Sequence, residues 1–412
     1  MKGYSKNLEI KMRIVRVSFP KFAGCLRNYL QGFSMIAAVL KETITGEKRV
    51  AATPKTVKEL INSGITVRVQ SAAGEDSFFS DQDYQNAGAE VVTEITDLLN
   101  GVDIVLKVAP ATLEEMAAMP DGITYISLFQ TTKRAEQVRK LSAKNITGFS
   151  MHLIPRTTLA QSMDAISSQA NIAGYKSVLI GAAHLPVYMP LLMTAAGTIP
   201  PAKVLILGAG VTGLQAIATA KRLGAQVESF DVRPEVKEEV ESLGAKFVAV
   251  ESDGNDGVGE GGYAKETSED YKIRQREMIK KHIAKSNLVI TTALVPGRPA
   301  PLLIPTEMVN GMKPGSVIMD LAAENGGNCE LTKGGEIINY NGVMIDGTIN
   351  LPSSMQVHAS QLYAKNIFSF VTYLIKEGQL NIDEEDEIIS GAMFTHQGKI
   401  THKPTLEAIN NL

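Results

Sequence analysis

The run Lys203-Val-Leu-Ile-Leu-Gly208-Ala-Gly210-Val211-Thr212-Gly213-Leu-Gln-Ala-Ile-Ala-Thr-Ala-Lys-Arg-Leu-Gly224 gathers residue types that do one kind of chemistry together. An apolar strand enters a glycine turn, the turn opens a helix, and the helix stops at Gly224. Gly208 permits a tight turn, Gly210 lets the backbone come close to a ligand, and Gly213 lets helix and strand pack closely. The helix start offers free N–H groups and a partial positive charge, which suit a pyrophosphate. Asp231 ends the next strand, 18 residues after Gly213. It is placed to accept bonds from an adenosine ribose diol, and its charge would repel a 2′-phosphate. The spacing therefore points to NAD rather than NADP. A glycine turn that only packs is the competing reading; strand, helix, terminal glycine and acid in this order favour the nucleotide.

A second polar set lies upstream, in Pro155-Arg156-Thr-Thr-Leu-Ala-Gln161-Ser162-Met-Asp164-Ala-Ile-Ser167-Ser168-Gln-Ala-Asn171. Gln161, Asp164, Ser168 and Asn171 follow a three-to-four residue rhythm, and Asp164 and Ser167 fall on one side of a helix start. Two readings stay open from the residues alone. One is a plain helix N-terminus capped by Ser162 or Asp164; the other is a group of donors and acceptors turned toward a ligand.

The elements around these sets alternate. Ile36–Leu40 reads as a strand, Thr53-Pro54 opens a capped helix, and strands follow after Gly64 and at Val102–Val108 and Ile123–Leu128. A second alternating unit has strands at Val204–Leu207, Val227–Phe230, Phe247–Val250, Leu288–Thr291, Val317–Asp320 and Val343–Ile345. This predicts an α/β protein with doubly wound sheets. The glycine-rich stretch Asp253–Glu266 reads either as a mobile contact loop or as an unstructured insertion. Residues 357–376 have helical apolar spacing and are expected to carry the chain back to the first unit. The acidic segment from Asp383 is expected to be solvated, ahead of a short tail.

Composition narrows the classes. With 412 residues, 44% hydrophobic and 21% charged, the chain is long enough for two or three cores and ordinary for a soluble globular protein. Cys25 and Cys329 give neither a disulfide framework nor metal-ligand spacing, so no metal is expected and a reducing compartment is the simpler reading. The net charge of −3 is uneven: residues 1–34 hold seven Lys/Arg against Glu9, and the rest is distinctly acidic. An acidic body argues against nucleic acid. Residues 1–34 lack a continuous apolar stretch and read as an extension upstream of the fold, with Met1 and Met35 both open as the start. Val178–Ile199 lacks Asp, Glu, Lys and Arg and is long enough to span a bilayer. His184, Pro186 and Pro190 interrupt it, and Pro200-Pro201 ends it, so we expect a helix buried between two domains and no transmembrane helix.

The Arg156–Ser167 set resembles the nicotinamide-contacting loop of proton-translocating NAD(P) transhydrogenase, in the NAD(H)-binding component of its alpha subunit. Gly208–Gly213 with Asp231-Val232-Arg233 is similar to that family's fingerprint, and Gly261-Gly262-Tyr263-Ala264-Lys-Glu to its mobile loop. Thr291-Thr-Ala-Leu294-Val-Pro-Gly-Arg-Pro-Ala-Pro and Lys313-Pro-Gly-Ser-Val-Ile-Met-Asp-Leu-Ala, followed by Gly-Gly-Asn-Cys, extend the resemblance, which covers residue 35 to the C-terminus. It implies two Rossmann-like doubly wound subdomains with a deep cleft between them: 35–165 plus 356–412, and 166–355, with 1–34 outside. It implies that Arg156, Gln161, Asp164 and Ser167 position the nicotinamide. Gly208, Gly210, Val211, Thr212, Gly213, Asp231, Val232, Arg233, Gly262, Tyr263, Ala264 and Leu294 would hold the rest of the nucleotide. The implied activity is Re/Si-specific hydride exchange between NAD(H) here and NADP(H) on a beta subunit, coupled to proton translocation. The implied assembly is a homodimer with a membrane-spanning second alpha component, peripheral on the cytoplasmic face. With no transmembrane helix before Leu412, the chain resembles the soluble part of a split alpha subunit.

Alanine dehydrogenase is similar over the same length. Lys41-Glu, Lys48-Arg49-Val-Ala and Lys107 resemble its cations for a substrate carboxylate and carbonyl. That family also has a histidine on the strand read here as Tyr125-Ile-Ser-Leu-Phe-Gln, where proton transfer is needed. No histidine lies between residues 1 and 151, and His152, His184 and His358 read as core or capping residues. An NAD-sensing regulatory subunit is a third reading, but it has no use for the Arg–Gln–Asp–Ser set.

Overall fold

The computed structural model describes residues 35–249, 269–295 and 298–411. Residues 1–34 and the expected loop with Gly262, Tyr263 and Ala264 lie outside them. Short apolar runs become strands, most of them buried on both faces, as parallel sheets require. They are β1 (Ile36–Val39), β2 (Thr66–Gln70), β3 (Glu90–Val92), β4 (Ile104–Leu106), β5 (Thr124–Ser127) and β6 (Thr147–Ser150). A hairpin of β7 (Leu192–Thr194) and β8 (Gly197–Ile199) precedes β9 (Lys203–Leu207), β10 (Gln226–Phe230) and β11 (Lys246–Phe247). Then come β12 (Leu288–Thr291), β13 (Val317–Asp320), β14 (Ile337–Tyr340) and β15 (Val343–Asp346). A second hairpin, β16 (Ile375–Lys376) with β17 (Gln379–Leu380), leads to β18 (Met393–His396) and β19 (Lys399–Ile400).

One sheet has the order β19-β18-β6-β5-β4-β1-β2-β3, the other β11-β10-β9-β12-β13-β15-β14. In the first, β6 through β3 are parallel throughout. In the second, the parallel set runs from β11 to β15, and β14 is antiparallel at the edge. Both therefore have the doubly wound order in which the chain steps outward from a central strand in each direction. The direction reverses between β1 and β4, and between β9 and β12, which opens a crevice at the carboxyl ends of those strands. The glycine turn leaves β9 at that point.

Two long helices join the sheets. The connecting helix, Ala165–His184, begins where Asp164 accepts the Ser167 N–H at 2.8 Å. The return helix, Gln356–Tyr373, buries Tyr363, Ile367, Phe370 and Val371 in the core beneath the first sheet, as its apolar spacing predicts. It stops short of residue 376 because Ile375–Lys376 pairs with Gln379–Leu380. The capped helix at Pro54–Asn62 also forms as expected, with Thr53 and Thr56 bonding reciprocally.

Two expectations are corrected. The uncharged run from Val178 to Ile199 is not one buried helix: the connecting helix ends at His184, and the rest forms a loop and the exposed hairpin β7–β8. Pro186 and Pro190 stop the helix, and among the described residues no helix is long and apolar enough to cross a membrane. The C-terminal stretch is more than a tail. After Asp386 caps helix Glu387–Ala392, β18 adds antiparallel to β6, and Phe394 stacks on Phe129 with ring centroids 4.9 Å apart.

The connecting helix lies against the helix that follows the glycine turn. A Cβ on Gly174 would overlap the Thr212 carbonyl oxygen, so only glycine allows this approach. Gly174→Ala is expected to cost about 1–3 kcal/mol through forced separation of the two helices. Urea unfolding checks this, and an unchanged midpoint would contradict the close approach.

Candidate functional site

The glycine turn is held at both ends. Gly208 has a φ of +105°, donates its N–H to Phe230 O at 2.8 Å and accepts Thr292 Oγ1 at 3.0 Å. A Cβ on Gly213 would run into the Gly208 carbonyl oxygen, so helix and turn touch there. Gly210 is different: a Cβ there would meet nothing within 4 Å, so one face of the turn is open to a ligand. The helix Val211–Arg222 starts at Gly210 with no side-chain cap, whereas Asp164 and Thr53 cap theirs. Open backbone, an uncapped helix start and the adjacent crevice fit a pyrophosphate. Val211 is exposed and Thr212 half-buried beside it.

Asp231 is engaged on both oxygens. Oδ2 accepts the Ala209 N–H at 2.7 Å, and Oδ1 accepts the Arg233 N–H at 2.9 Å. The Arg233 guanidinium adds Nε to Oδ1 and Nη2 to Oδ2, each at 3.0 Å. These bonds and the charge behind them hold the guanidinium above its usual range. The carboxylate thus ties the acid strand end to the glycine turn, while Val232 packs on the core beneath β12.

Leu294 is exposed beyond β12. The loop that carries it is fixed by Asn328, which accepts the Ala293 N–H at 3.0 Å and donates to Ala293 O and Pro301 O. Asn328 is held in turn by Asp320, whose buried carboxylate accepts the N–H groups of Ala322, Asn328 and Cys329 and the hydroxyls of Thr291 and Thr332. The Gly-Gly-Asn-Cys motif stands out in the sequence only by resemblance; this network is its physical use.

Asp164 does cap the connecting helix, and Ser167 is its partner twice, through the N–H at 2.8 Å and the hydroxyl at 2.6 Å. Gln161 is exposed in the short turn Gln161–Met163, and Arg156 is exposed just before it. Asn171 Nδ2 donates to Gln215 Oε1 at 3.1 Å, which joins this helix to the one after the glycine turn. Asp164 lies ten residues before the Gly174 contact, about 15 Å along the helix. The polar set and the glycine turn thus share one pair of packed helices.

The first sheet holds a buried ionic cluster. Lys107 is fully buried and bonds Glu115 Oε1 at 3.0 Å, with Glu42 Oε2 at 3.5 Å and Lys41 O at 3.2 Å. Arg49 is bidentate on Glu47, with Nε at 2.7 Å and Nη2 at 2.6 Å. Burial alone would raise the Glu47 carboxyl, but Arg49 outweighs it and holds it below the usual range. The cations stand out in the sequence and their acidic partners do not, although Lys41-Glu42 and Glu47-Lys-Arg49 carry the signal.

Fold and turn define a two-unit dinucleotide-type α/β protein. Residues 38–173 match the alanine dehydrogenase/PNT N-terminal domain, and 177–403 the C-terminal domain. An NAD(P) transhydrogenase subunit alpha chain of Rhodospirillum rubrum is 45% identical over 376 residues, covering 89% of this chain and 98% of that one. The crystal structure of transhydrogenase from Sinorhizobium meliloti superposes with a TM-score of 0.80 at 42% identity, over 89% of this chain and 99% of that one. Alanine dehydrogenase of Staphylococcus saprophyticus is more distant, 28% identical over 91% of this chain and 97% of its own. The chain belongs to the alanine dehydrogenase/PNT family, on the branch of the NAD(P) transhydrogenase alpha subunits.

Burial pushes the Glu42 carboxyl from 4.5 up to about 7, against the pull of Lys107 and the Val108 N–H. A group with a raised folded pKa gives stability that is complete below its unfolded value and lost as pH rises through the folded one. Between pH 4.5 and about 7 the protein is therefore expected to lose on the order of 2–3 kcal/mol from this residue. Glu42→Gln should flatten that fall, read from urea midpoints at pH 5 and pH 8. An equal fall in both proteins would contradict the assignment.

Proposed function

We propose that this chain binds NAD(H) and presents it for direct hydride exchange with NADP(H) held by a beta subunit. Proton translocation then belongs to membrane-spanning partners, a second alpha component among them. The observation that carries this reading is the shared scaffold: the Arg156–Ser167 segment starts the helix that packs against the glycine turn. One nucleotide spanning both would have its phosphates at Gly208–Gly213 and its nicotinamide near Gln161 and Asp164.

Hydride transfer between two nicotinamides moves no proton at the reacting carbons. It needs the two rings aligned at roughly 3–3.5 Å and water kept out. Arg156 supplies donors, Asp164 and Ser167 a fixed acceptor and hydroxyl, and Gln161 both kinds of group. Asp231 takes the adenosine ribose by exchanging Arg233 for hydroxyl donors, with Val232 and Arg233 flanking it. Leu294 covers one side, and Gly262, Tyr263 and Ala264 contact the nucleotide or its partner. The subdomains are taken as 35–165 plus 356–412, and 166–355. The relatives' names support the transhydrogenase reading. The assembly lies at the cytoplasmic face of the membrane.

A homodimer is supported by the hairpin β7–β8 and the loop before it, where Met193 is 73%, Tyr188 56% and Leu191 53% exposed. A two-stranded ribbon joined to neither main sheet is marginal in water and gains by burial against another surface. Met193→Glu is expected to convert dimer to monomer, measured by sedimentation; an unaltered dimer would place the interface elsewhere.

The rival is alanine-type amino-acid dehydrogenation. Of the cations it would use, Arg49 and Lys107 are already paired with Glu47, Glu42 and Glu115. Mixed with an NADP(H)-binding partner domain, the chain should transfer hydride between nucleotides. Gln161→Asn should slow transfer at least tenfold while NADH affinity changes less than about twofold. Equal losses would make Gln161 a binding contact only, and NAD reduction by alanine with the chain alone would overturn the proposal.

A further inference from the structure

Asn366 lies within the return helix, about 200 residues from the Gln161 turn in sequence, and is 8% exposed. Both ends of its amide are used on the segment assigned to the nicotinamide. Nδ2 donates to the Ser162 carbonyl at 2.9 Å, and Oδ1 accepts the Ser168 hydroxyl at 2.8 Å. Ser162 belongs to the turn Gln161–Met163, and Ser168 to the first helical turn after Asp164. One amide therefore staples both flanks of the Asp164 cap.

A second layer holds the staple. Gln169 donates to Ala359 O at 3.1 Å and to Ser168 Oγ at 3.3 Å, and its Oε1 accepts Arg49 Nη1 at 2.9 Å. Arg49 is fixed by Glu47 and donates to Asn350 Oδ1 at 3.0 Å. Bonds thus run without a break from the buried Arg49–Glu47 pair to the Gln161 turn. Burying an amide is costly unless all its groups are paired, and an apolar side chain would fill this place without that requirement. What the amide adds is direction.

We propose that Asn366 is a positioning residue for hydride transfer, holding the Gln161 turn against the Asp164 cap so that both meet the nicotinamide in one geometry. The proposal rests on the assignment of residues 156–167 to the nicotinamide given above. Displacing a reacting group by about 1 Å can cost on the order of a hundredfold in rate.

The test uses the full chain. In nucleotide-free Asn366→Ala, hydrogen exchange of the Ala160–Ser168 amides is expected to speed up, while exchange in Val211–Arg222 stays as in the wild type. With the partner domain, the same variant should transfer hydride roughly tenfold more slowly and bind NADH within about twofold of the wild type. Because Asn366 acts through the turn, Gln161→Asn combined with Asn366→Ala should be no slower than Gln161→Asn alone. Lys365→Ala, which removes the neighbouring exposed pair with Glu59, should leave all three readouts unchanged. If Asn366→Ala does not fold, Ser168→Ala removes one of the two bonds and should show the same pattern more weakly. Unchanged exchange at Ala160–Ser168, matched losses of rate and affinity, or additive effects in the double variant would overturn the proposal. If the wild type transfers no hydride, the functional reading fails, and the exchange measurement alone decides on Asn366.

Discussion

Two glycine contacts set the geometry of everything else. Gly213 sits on the Gly208 carbonyl, and Gly174 on the Thr212 carbonyl. A single Cβ at either place would push apart surfaces that now touch, since packed interiors yield little. The first contact brings the helix start up to the end of β9. The second fixes the connecting helix, and with it the Asp164 cap, to that same helix. The glycine turn and the polar set therefore lie on one pair of packed helices rather than on two loops that must find each other. This suits the proposed hydride transfer, whose main demand is alignment.

The charges are distributed to match. In the first sheet, Lys107 and Arg49 are saturated by Glu42, Glu115 and Glu47, with hydrogen bonds to Gln169 and Asn350 completing the set. Such a cluster is costly to break. It serves instead as an anchor for the two crossings between the sheets. In the second sheet, Asp231 and Asp320 hold backbone N–H groups around the crevice.

Much of this was legible in the sequence because parallel strands leave continuous apolar runs and the glycine turn has one physical solution. β9, β10, β12, β13 and β15 lie where the runs predict them within a residue or two. The cap at Asp164 was one of two open readings, and it is made in the structure alongside whatever ligand role the residue has. The hairpin β7–β8 was not legible: an uncharged stretch looks the same whether it is buried in its own fold or kept for another surface. β18 was missed because a short strand after an acidic segment carries no period of its own, and its reason lies in Phe129 and β6, far back in the chain. Asn366 and Gln169 were missed for the same cause. A buried amide in a helical pattern looks like a polar interruption until its partners, some 190 residues away, are in place.

In the proposed reaction the bound nucleotide is itself the substrate and gives its hydride directly to another nucleotide. The most direct measurement uses NADH deuterated at the transferred position of C4, with NADP⁺ on the partner domain. Direct transfer predicts that the deuterium appears in NADPH without dilution by solvent protons. Label lost to water, or no label in NADPH although both nucleotides are bound, would contradict it.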